Sequence, residues 1–461
     1  MKKLLLSCTL MCTTLFSANK PNILFIAVDD LKPELGAYGN TQVKSPSIDK
    51  LAQYSTVFTN AHCQWAVCGP SRASLMTGLY PESTGVMDLK TSMRSVNPDV
   101  LTLPQHFKNS GYFTAATGKI YDPRCVDGRV KDDEASWSIP YKTLDYGKIK
   151  LKDGKRFALA PEIADEDLTD GQILLNGLEL LDQAQKQEKP FFVAVGFKKP
   201  HLAFVAPKKY WDLYDRESLI LPQFREKAEN ASEYGWHDSN ELRSYDGIPK
   251  QRPIPMELQK EAYHGYLACV SYIDALVGRL LQDLEKRDLK NNTIVVLWGD
   301  HGFHLGDHNM WGKHTNLEQA TRSPLIISIP GQKAKQSNTP AELMDIFPTL
   351  SDAAGLEVPK VLQGSSLLAV IQGKEKQHQN GAISFFKSKG AKGYSYRTTQ
   401  YRYIEWIKSN QVEAIELYDY QNDPEEKVNL ANNPEYAELI TELKQELRKD
   451  GDGCKLMFKV K

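Results

Sequence analysis

The chain has 461 residues, 41% of them hydrophobic and 25% charged, with a formal net charge of -1. That length exceeds what one small core holds, so one large domain with an appendage, or two domains, is expected. The balanced charge supplies no global basic field, which argues against a nucleic-acid partner.

At the N-terminus, Met1-Lys2-Lys3 precedes an apolar run from Leu4 to Phe16 and then Ser17-Ala18-Asn19. This is the pattern of a secretory signal peptide over residues 1–18, too short for a permanent membrane span. A lipoprotein reading through Cys8 or Cys12 is weaker, because the apolar run before Cys8 is very short. With no later run long enough to cross a bilayer, the mature chain is expected to be exported, periplasmic or secreted. Five cysteines remain after the signal: Cys63, Cys68, Cys125, Cys269 and Cys454. They are too sparse for a disulfide scaffold, and no pairing can be assigned from spacing.

Asn22 to Val28 is apolar on both faces and ends in Asp29-Asp30, as a buried strand of a covered sheet would. Ser45 to Phe58 reads as helical around Ile48, Leu51 and Ala52 and delivers the chain to Cys68-Gly69-Pro70-Ser71-Arg72. Pro70 and Ser71 suit the start of a helix, with Ser71 as its cap and Cys68 at or just before the N-terminus, a favourable place for an anion. A helix near Leu103 to Ser110 leads to a strand over Tyr112 to Thr117, ending at Gly118-Lys119.

Tyr121 to Asp165 is irregular and charged and reads as a surface insertion. Asp170 to Gln185 carries Ile173, Leu174, Leu178 and Leu181 at helical spacing. A third strand, Phe191 to Gly196, leads to Lys199-Pro200-His201. The polar, proline-dotted segment from Lys208 to Met256 reads as a rim loop. A long helix is expected over Glu261 to Lys286, and a fourth strand, Thr293 to Trp298, ends in Gly299-Asp300-His301-Gly302.

Strands alternating with helices predict an α/β sandwich around a largely parallel sheet. Taken singly, each charged strand end has an ordinary reading: solvated acids, a loop lysine, a surface histidine. Four such ends on one sheet edge, carrying Asp29-Asp30, Lys119, His201 and Asp300-His301, make a site. Beyond a strand at Pro324 to Ile329 and a helix around Leu343 to Ala354, Gly364 to Lys376 reads as a boundary. The tail, with strands near Ile383, Tyr401 and Leu417 and a charged helix around Ala437 to Arg448, reads as a small antiparallel sheet plus helix. The domains expected are therefore 19–368 and 369–461.

Taken together, Val28-Asp29-Asp30, Cys68-Gly69-Pro70-Ser71-Arg72, Gly118-Lys119, Lys199-Pro200-His201 and Gly299-Asp300-His301-Gly302 resemble the type I sulfatases of the alkaline phosphatase superfamily. Glu416-Leu417-Tyr418-Asp419, Asp423-Pro424 and Asn429-Leu430-Ala431 resemble that family's C-terminal signature. Gly196 to His201, Asp300-His301-Gly302 and Tyr401-Arg402-Tyr403 are most similar to the iduronate-2-sulfatase branch and its bacterial polysaccharide-degrading relatives.

The resemblance implies an alkaline-phosphatase-like sandwich and conversion of Cys68 to formylglycine by a maturation enzyme. The hydrated aldehyde would attack sulfur, expel the sugar alcohol, and then release sulfate as the aldehyde re-forms. It implies one Ca²⁺ held by Asp29, Asp30, residue 68, Asp300 and His301, a hard donor set rich in carboxylate. Arg72 and Lys119 would hold the diol, and His201 and Lys313 would bind the sulfate and protonate the leaving oxygen. Where the family pattern has a histidine after Gly-Lys, this chain has Asp122, a candidate base beside which Tyr121 is the alternative hydrogen-bonding group. His304 and His308 crowd the loop that also carries His314, and with Tyr401, Arg402 and Trp406 they are candidate substrate contacts; Arg402 would pair with a uronate carboxylate.

The expected activity is therefore hydrolysis of sulfate esters on a sulfated carbohydrate, a glycosaminoglycan or algal polysaccharide fragment, with a uronate 2-sulfate among the candidates. The alternatives are a phosphonate or phosphate monoester hydrolase of the same superfamily, and a non-catalytic relative that binds sulfated glycan. Neither the sulfated position nor the oligomeric state can be read from the residues.

Overall fold

The computed structural model describes residues 20–127, 132–141 and 155–451. The expected signal segment, Cys454 and part of the charged stretch between Tyr121 and Asp165 lie outside the described residues. In chain order the main unit runs β1 (Asn22–Val28), α1 (Pro46–Ala52), β2 (Thr56–Phe58), α2 (Cys68–Thr77), α3 (Leu103–Asn109), β3 (Phe113–Gly118) and α4 (Thr169–Gln185). It continues through β4 (Phe191–Phe197), α5 (Met256–Lys286), β5 (Thr293–Gly299), β6 (Leu325–Ser328), β7 (Lys335–Ser337) and α6 (Ile346–Ala353). Shorter turns and two-residue strands lie between them.

Seven strands form one sheet in the order β7-β2-β6-β5-β1-β4-β3. β1 is parallel to β4 and β5, with Ile26 opposite both Val195 and Leu297, and β3 is parallel to β4. β6 alone runs antiparallel, between β5 and β2. The period-two alternation of β1 divides the core. Leu24, Ile26 and Val28 pack with α4 and α5 residues such as Leu181, Ile273 and Leu280. Ile23, Phe25 and Ala27 pack with Leu75, Phe107 and Phe347 from the opposite helix layer. Both faces being covered is why the strand is apolar from Ile23 to Val28, and its one polar residue, Asn22 at the start, accepts from Phe191 N at 3.1 Å.

Three local expectations are corrected. The helix expected over Ser45 to Phe58 ends at Ala52, because Thr56, Val57 and Phe58, β-branched and aromatic, join the sheet as β2. Ser71 is not the cap of α2: the helix starts at Cys68 with Val67 in the cap position. Ser71 lies one turn inside and its Oγ donates instead to the Asp300 carbonyl. Helix α5 begins five residues before Glu261, in a polar turn whose composition hides it from an apolar pattern.

The tail forms a four-stranded antiparallel meander, β8 (Ala382–Ser388), β9 (Ala391–Arg397), β10 (Tyr401–Lys408) and β11 (Gln411–Asp419). Helix α7 (Ala437–Asp450) lays Leu443 and Leu447 against Tyr396, Tyr403 and Leu417. This sheet is stitched to the main unit by Phe385 N to Gln64 O at 2.8 Å and Ser384 Oγ to Cys63 O at 2.6 Å. Cys63, Cys68, Cys125 and Cys269 are buried free thiols.

Candidate active site

The parallel run of β3, β4, β1 and β5 brings four strand ends to one edge. Asp29 N donates to Phe197 O at 3.1 Å, and Lys119 N donates to Gly196 O at 2.7 Å. The second contact requires glycine: Gly118 has φ +79, and a Cβ there would meet Gly196 O at 2.0 Å. That close crossing aims Lys119 back across the edge.

Cys68 opens α2 directly above these strand ends. Its Sγ lies 3.3 Å from His301 Nε2 and 3.9 Å from Asp30 Oδ1. One turn on, the fully buried Arg72 donates from Nε to Asp300 Oδ2 at 2.9 Å and from Nη2 to Asp29 Oδ1 at 3.1 Å. Lys119 Nζ donates to Asp29 Oδ2 at 2.6 Å. Lys313 Nζ donates to both oxygens of Asp30, at 3.0 and 2.9 Å. His301 Nε2 is 3.3 Å from Asp30 Oδ1 and 3.7 Å from Asp300 Oδ1. His201 Nε2 stands 4.0 Å from Asp30 Oδ2, with Nδ1 at 2.6 Å from Leu202 O. Nine residues named from the sequence thus share one cluster: Asp29, Asp30, Cys68, Arg72, Lys119, His201, Asp300, His301 and Lys313.

Its electrostatics follow from burial and close pairing. Burial would raise Asp29, but Lys119 and Arg72 hold it well below the usual carboxylate range. Burial would likewise raise Asp30, which His201 and Lys313 bring down to about 2. At Asp300 burial outweighs Arg72, and the carboxyl lies above its ordinary value. Burial, reinforced by Asp29, pushes the Cys68 thiol well up. Burial works against the Lys313 ammonium, yet Asp30 more than reverses it and the group stays charged. His201 is held below its ordinary value by burial, partly offset by Asp30.

Three buried carboxylates with a histidine and residue 68 are a donor set that fits a hard divalent cation. Ligand atoms of Asp29, Asp30, Cys68 and His201 lie within 4.8 Å of one another, as do those of Cys68, Asp300 and His301.

Other expectations are corrected. Asp122 is buried and clasped bidentately by Arg124, Nε to Oδ1 at 2.9 Å and Nη2 to Oδ2 at 2.8 Å. Burial raises it, but Arg124 and then Lys119 keep it below the ordinary carboxylate value, so it is a weak base. Tyr121 turns away, its hydroxyl 2.7 Å from Ser136 Oγ. His304 and His308, candidate substrate contacts, are buried, with His304 Nε2 at 3.0 Å from Thr315 Oγ1 and His308 Nε2 at 3.8 Å from Glu426. Arg402 and Trp406 are at 0% exposure, because the inward-facing side of the meander is covered by the main unit. Arg402 pairs with Glu318 at 2.6 Å, and Trp406 Nε1 donates to Glu416 at 2.8 Å. Tyr401 is partly exposed and accepts a hydrogen bond from Gln400 Nε2 at 2.9 Å.

Two residues that sequence reasoning passed over belong to this region. Arg124 is the partner of Asp122, two positions on, and its opposite charge was the available signal. Glu241, from the rim segment, takes a hydrogen bond from Lys313 Nζ at 3.1 Å and lies 3.5 Å from His201 Nε2; no motif marks it.

Comparison with known proteins places these observations. The sulfatase family model matches residues 21–356, and the C-terminal model of N-sulphoglucosamine sulphohydrolase matches 306–452. Human iduronate 2-sulfatase is 31% identical, covering 91% of this chain and 92% of its own. A sulfatase of Formosa agariphila is 32% identical, covering 94% of this chain and 87% of its own. Among solved structures, a protein in complex with its substrate D-glucosamine-2-N,6-O-disulfate superposes with a TM-score of 0.78 at 24% identity, covering 95% of this chain and 99% of that one. A phosphonate monoester hydrolase of Agrobacterium radiobacter also reaches 0.78, at 22% identity, covering 94% and 95%. The two structural likenesses carry the alkaline-phosphatase-like fold alone. The extent of the family match and the relatives above 30% identity decide the rest: the chain belongs to the sulfatase family and is a sulfuric ester hydrolase.

Proposed function

We propose that the protein removes sulfate from a sulfated carbohydrate, using formylglycine made from Cys68 and a divalent cation, Ca²⁺ by donor type. The observation that carries the reading is the place of Cys68: a buried residue at the head of α2, set among Asp30, His301 and the cations that pair with the same carboxylates. An unmodified thiol there is pushed up by burial and is a poor nucleophile at neutral pH. Conversion to the hydrated aldehyde supplies a hydroxyl nucleophile in its place. Asp29, Asp30, Asp300 and His301 would hold the cation, which when bound would supply charge screening for an anionic ester.

The chain's own residues divide the remaining work. Arg72 and Lys119, anchored on Asp29, set the orientation of residue 68 and keep positive charge beside it. Lys313, charged throughout the working range, faces the ester oxygens from the opposite side. His201, partly exposed beside Lys313, hands a proton to the departing sugar oxygen. Asp122 is bound to Arg124 and is left out of proton transfer.

Support for a carbohydrate substrate comes from relatives named as an iduronate 2-sulfatase, an N-acetylglucosamine-6-O-sulfatase and an ulvan-active sulfatase. The signal-like N-terminus supports export, where such polysaccharides occur. The test is sulfate release from defined glycosaminoglycan and algal oligosaccharides by the formylglycine-converted protein with Ca²⁺. Release from none of them overturns the reading, and faster turnover of matched phosphonate or phosphate esters favours the hydrolase activity of the Agrobacterium structural neighbour. Cys68→Ala should lose about three orders of magnitude in kcat or more. The Cys68 peptide of active protein should be lighter by about 18 Da than the unmodified thiol peptide.

A further inference from the structure

Arg124 stands at the edge of the site, in a turn that its own sequence closes. Cys125 N donates to Asp122 O at 2.9 Å across Pro123 and Arg124, and Arg124 N donates to Asp122 Oδ1 at 3.0 Å. The guanidinium returns to the same carboxylate, Nε to Oδ1 at 2.9 Å and Nη2 to Oδ2 at 2.8 Å. In an ordinary surface ion pair both partners meet water. Here the acid side chain is at 0% exposure and the arginine side chain at 52%. Three donors on one buried acid leave Arg124 little rotamer freedom, and its Nη1 has no partner among the described residues. A planar fork fixed in advance loses little entropy when it takes up a further anion.

The turn is docked beside the nucleophile position. Cys125 packs on Gly69, the residue after Cys68: a Cβ at Gly69 would meet Cys125 Sγ at 2.5 Å. At the start of the segment Arg72 Nη1 donates to the carbonyls of Lys119 and Ile120. Lys119 and Arg124 share one carboxylate oxygen, Asp122 Oδ2, with Lys119 Nζ at 3.8 Å and Arg124 Nη2 at 2.8 Å. Lys119 is itself bound to Asp29. Charge therefore alternates outward from the centre of the site, Asp29, Lys119, Asp122, Arg124, and the row ends in the exposed guanidinium. The hydrogen bond to Asp122 raises Arg124 above its ordinary value, against burial, and charge at residue 68 adds to the rise, so the two positions lie within electrostatic reach.

We propose that Arg124 is a specificity-determining residue that pairs through Nη1 with a second anionic group of the substrate, a carboxylate or another sulfate, on the sugar carrying the scissile sulfate or on its neighbour. This rests on the functional reading above, in which the scissile sulfate lies against residue 68, Lys119 and Lys313. An ester held there has Arg124 as the next cation of the row beyond Lys119, and a substrate with no second anion leaves it unused.

The test is competitive inhibition of sulfate release from the best oligosaccharide substrate, with two pairs of probes. The methyl glycoside of a 2-O-sulfated hexuronic acid and its carboxyl methyl ester differ in a carboxylate. Glucosamine N,6-disulfate and N-acetylglucosamine 6-sulfate differ in an N-sulfate against an N-acetyl group. The quantity read is the ratio of Ki for the monoanion to Ki for the dianion, which does not depend on how much of each preparation is folded. It is measured in wild type, Arg124→Gln and Asp122→Asn/Arg124→Gln. The double variant keeps the net charge of the pair at zero, and so separates loss of the guanidinium contact from repulsion by a bared Asp122. In wild type the ratio should be about fivefold or more for at least one pair, the worth of a charge-assisted hydrogen bond at a half-exposed site, and that pair identifies the group. Both variants should bring it close to unity. A smaller wild-type ratio for both pairs, or a preference that survives in either variant, overturns the proposal and leaves Arg124 as the partner of Asp122 only. If wild type releases sulfate from no oligosaccharide, the functional reading itself fails and the inference with it.

Discussion

Arg402 shows how far a side chain's role depends on its surroundings. Beyond Glu318, its Nη1 donates to Ser395 Oγ at 2.8 Å and Asn316 O at 2.9 Å, and its Nε donates to Tyr420 Oη at 2.8 Å. Glu426 lies 3.3 Å away. Removing one partner from a buried ion cluster leaves uncompensated charge, at a cost of about 3–5 kcal/mol. Arg402→Ala should therefore lower the thermal midpoint by several degrees in calorimetry, while KM for uronate-containing substrates on the folded fraction stays at the wild-type value. An unchanged midpoint with a raised KM would restore it as a substrate contact. Glu426 in the same cluster is pushed up to about 7 by burial against the pull of Arg402. A raised carboxyl binds its proton more tightly in the folded state, so it makes stability fall as pH rises from about 4.5 to 7. Glu426→Gln should flatten that part of the stability–pH curve in denaturant titrations.

At the scale of elements, the start of α1 is held by another helix. Ser45 makes no side-chain cap bond, and Asp274 of α5 accepts from Ser47 N at 3.1 Å and Ile48 N at 2.7 Å. Asp274→Ala should cost about 1–2 kcal/mol, the usual worth of a cap. Burial pushes the Asp274 carboxyl up to about 6, even though the two amides pull it down. The wild type therefore loses stability as pH rises from about 4 to 6, and the alanine variant lacks that loss. The difference between the two proteins should be larger at pH 4.5 than at pH 7 in chemical denaturation; a larger difference at pH 7 would mean that the ionised cap dominates.

For the whole molecule, the site lies where both helix layers and the sheet edge meet, so an ion bound by Asp29, Asp30 and Asp300 is linked to global stability. Saturation at a hundredfold over Kd adds about 2.7 kcal/mol. Ca²⁺ should raise the thermal midpoint by a few degrees and a chelator should reverse this together with activity. Asp300→Asn should remove most of the Ca²⁺ shift, and a shift that survives there would place the ion elsewhere.

Much of the frame is local information. The runs Asn22 to Val28, Phe191 to Phe197 and Thr293 to Gly299 are apolar on both faces and announce covered strands, and a parallel sheet necessarily collects the residues after its strands at one edge. That is why Asp29, Asp30, Lys119, His201, Asp300 and His301 could be grouped from the sequence, and why the type I sulfatase resemblance fell on them. Contacts between distant irregular segments carry no such periodic mark. Only the tertiary structure shows that Arg124 occupies Asp122, that Arg402 and Trp406 are enclosed where the meander meets segments of the main unit such as Asn316 to Glu318, and that Glu241 reaches Lys313 from the polar rim segment. Hydrophobic period determines which segments become strands and helices; which charges then neutralise one another, and which stay available to a substrate, is settled by how the chain packs.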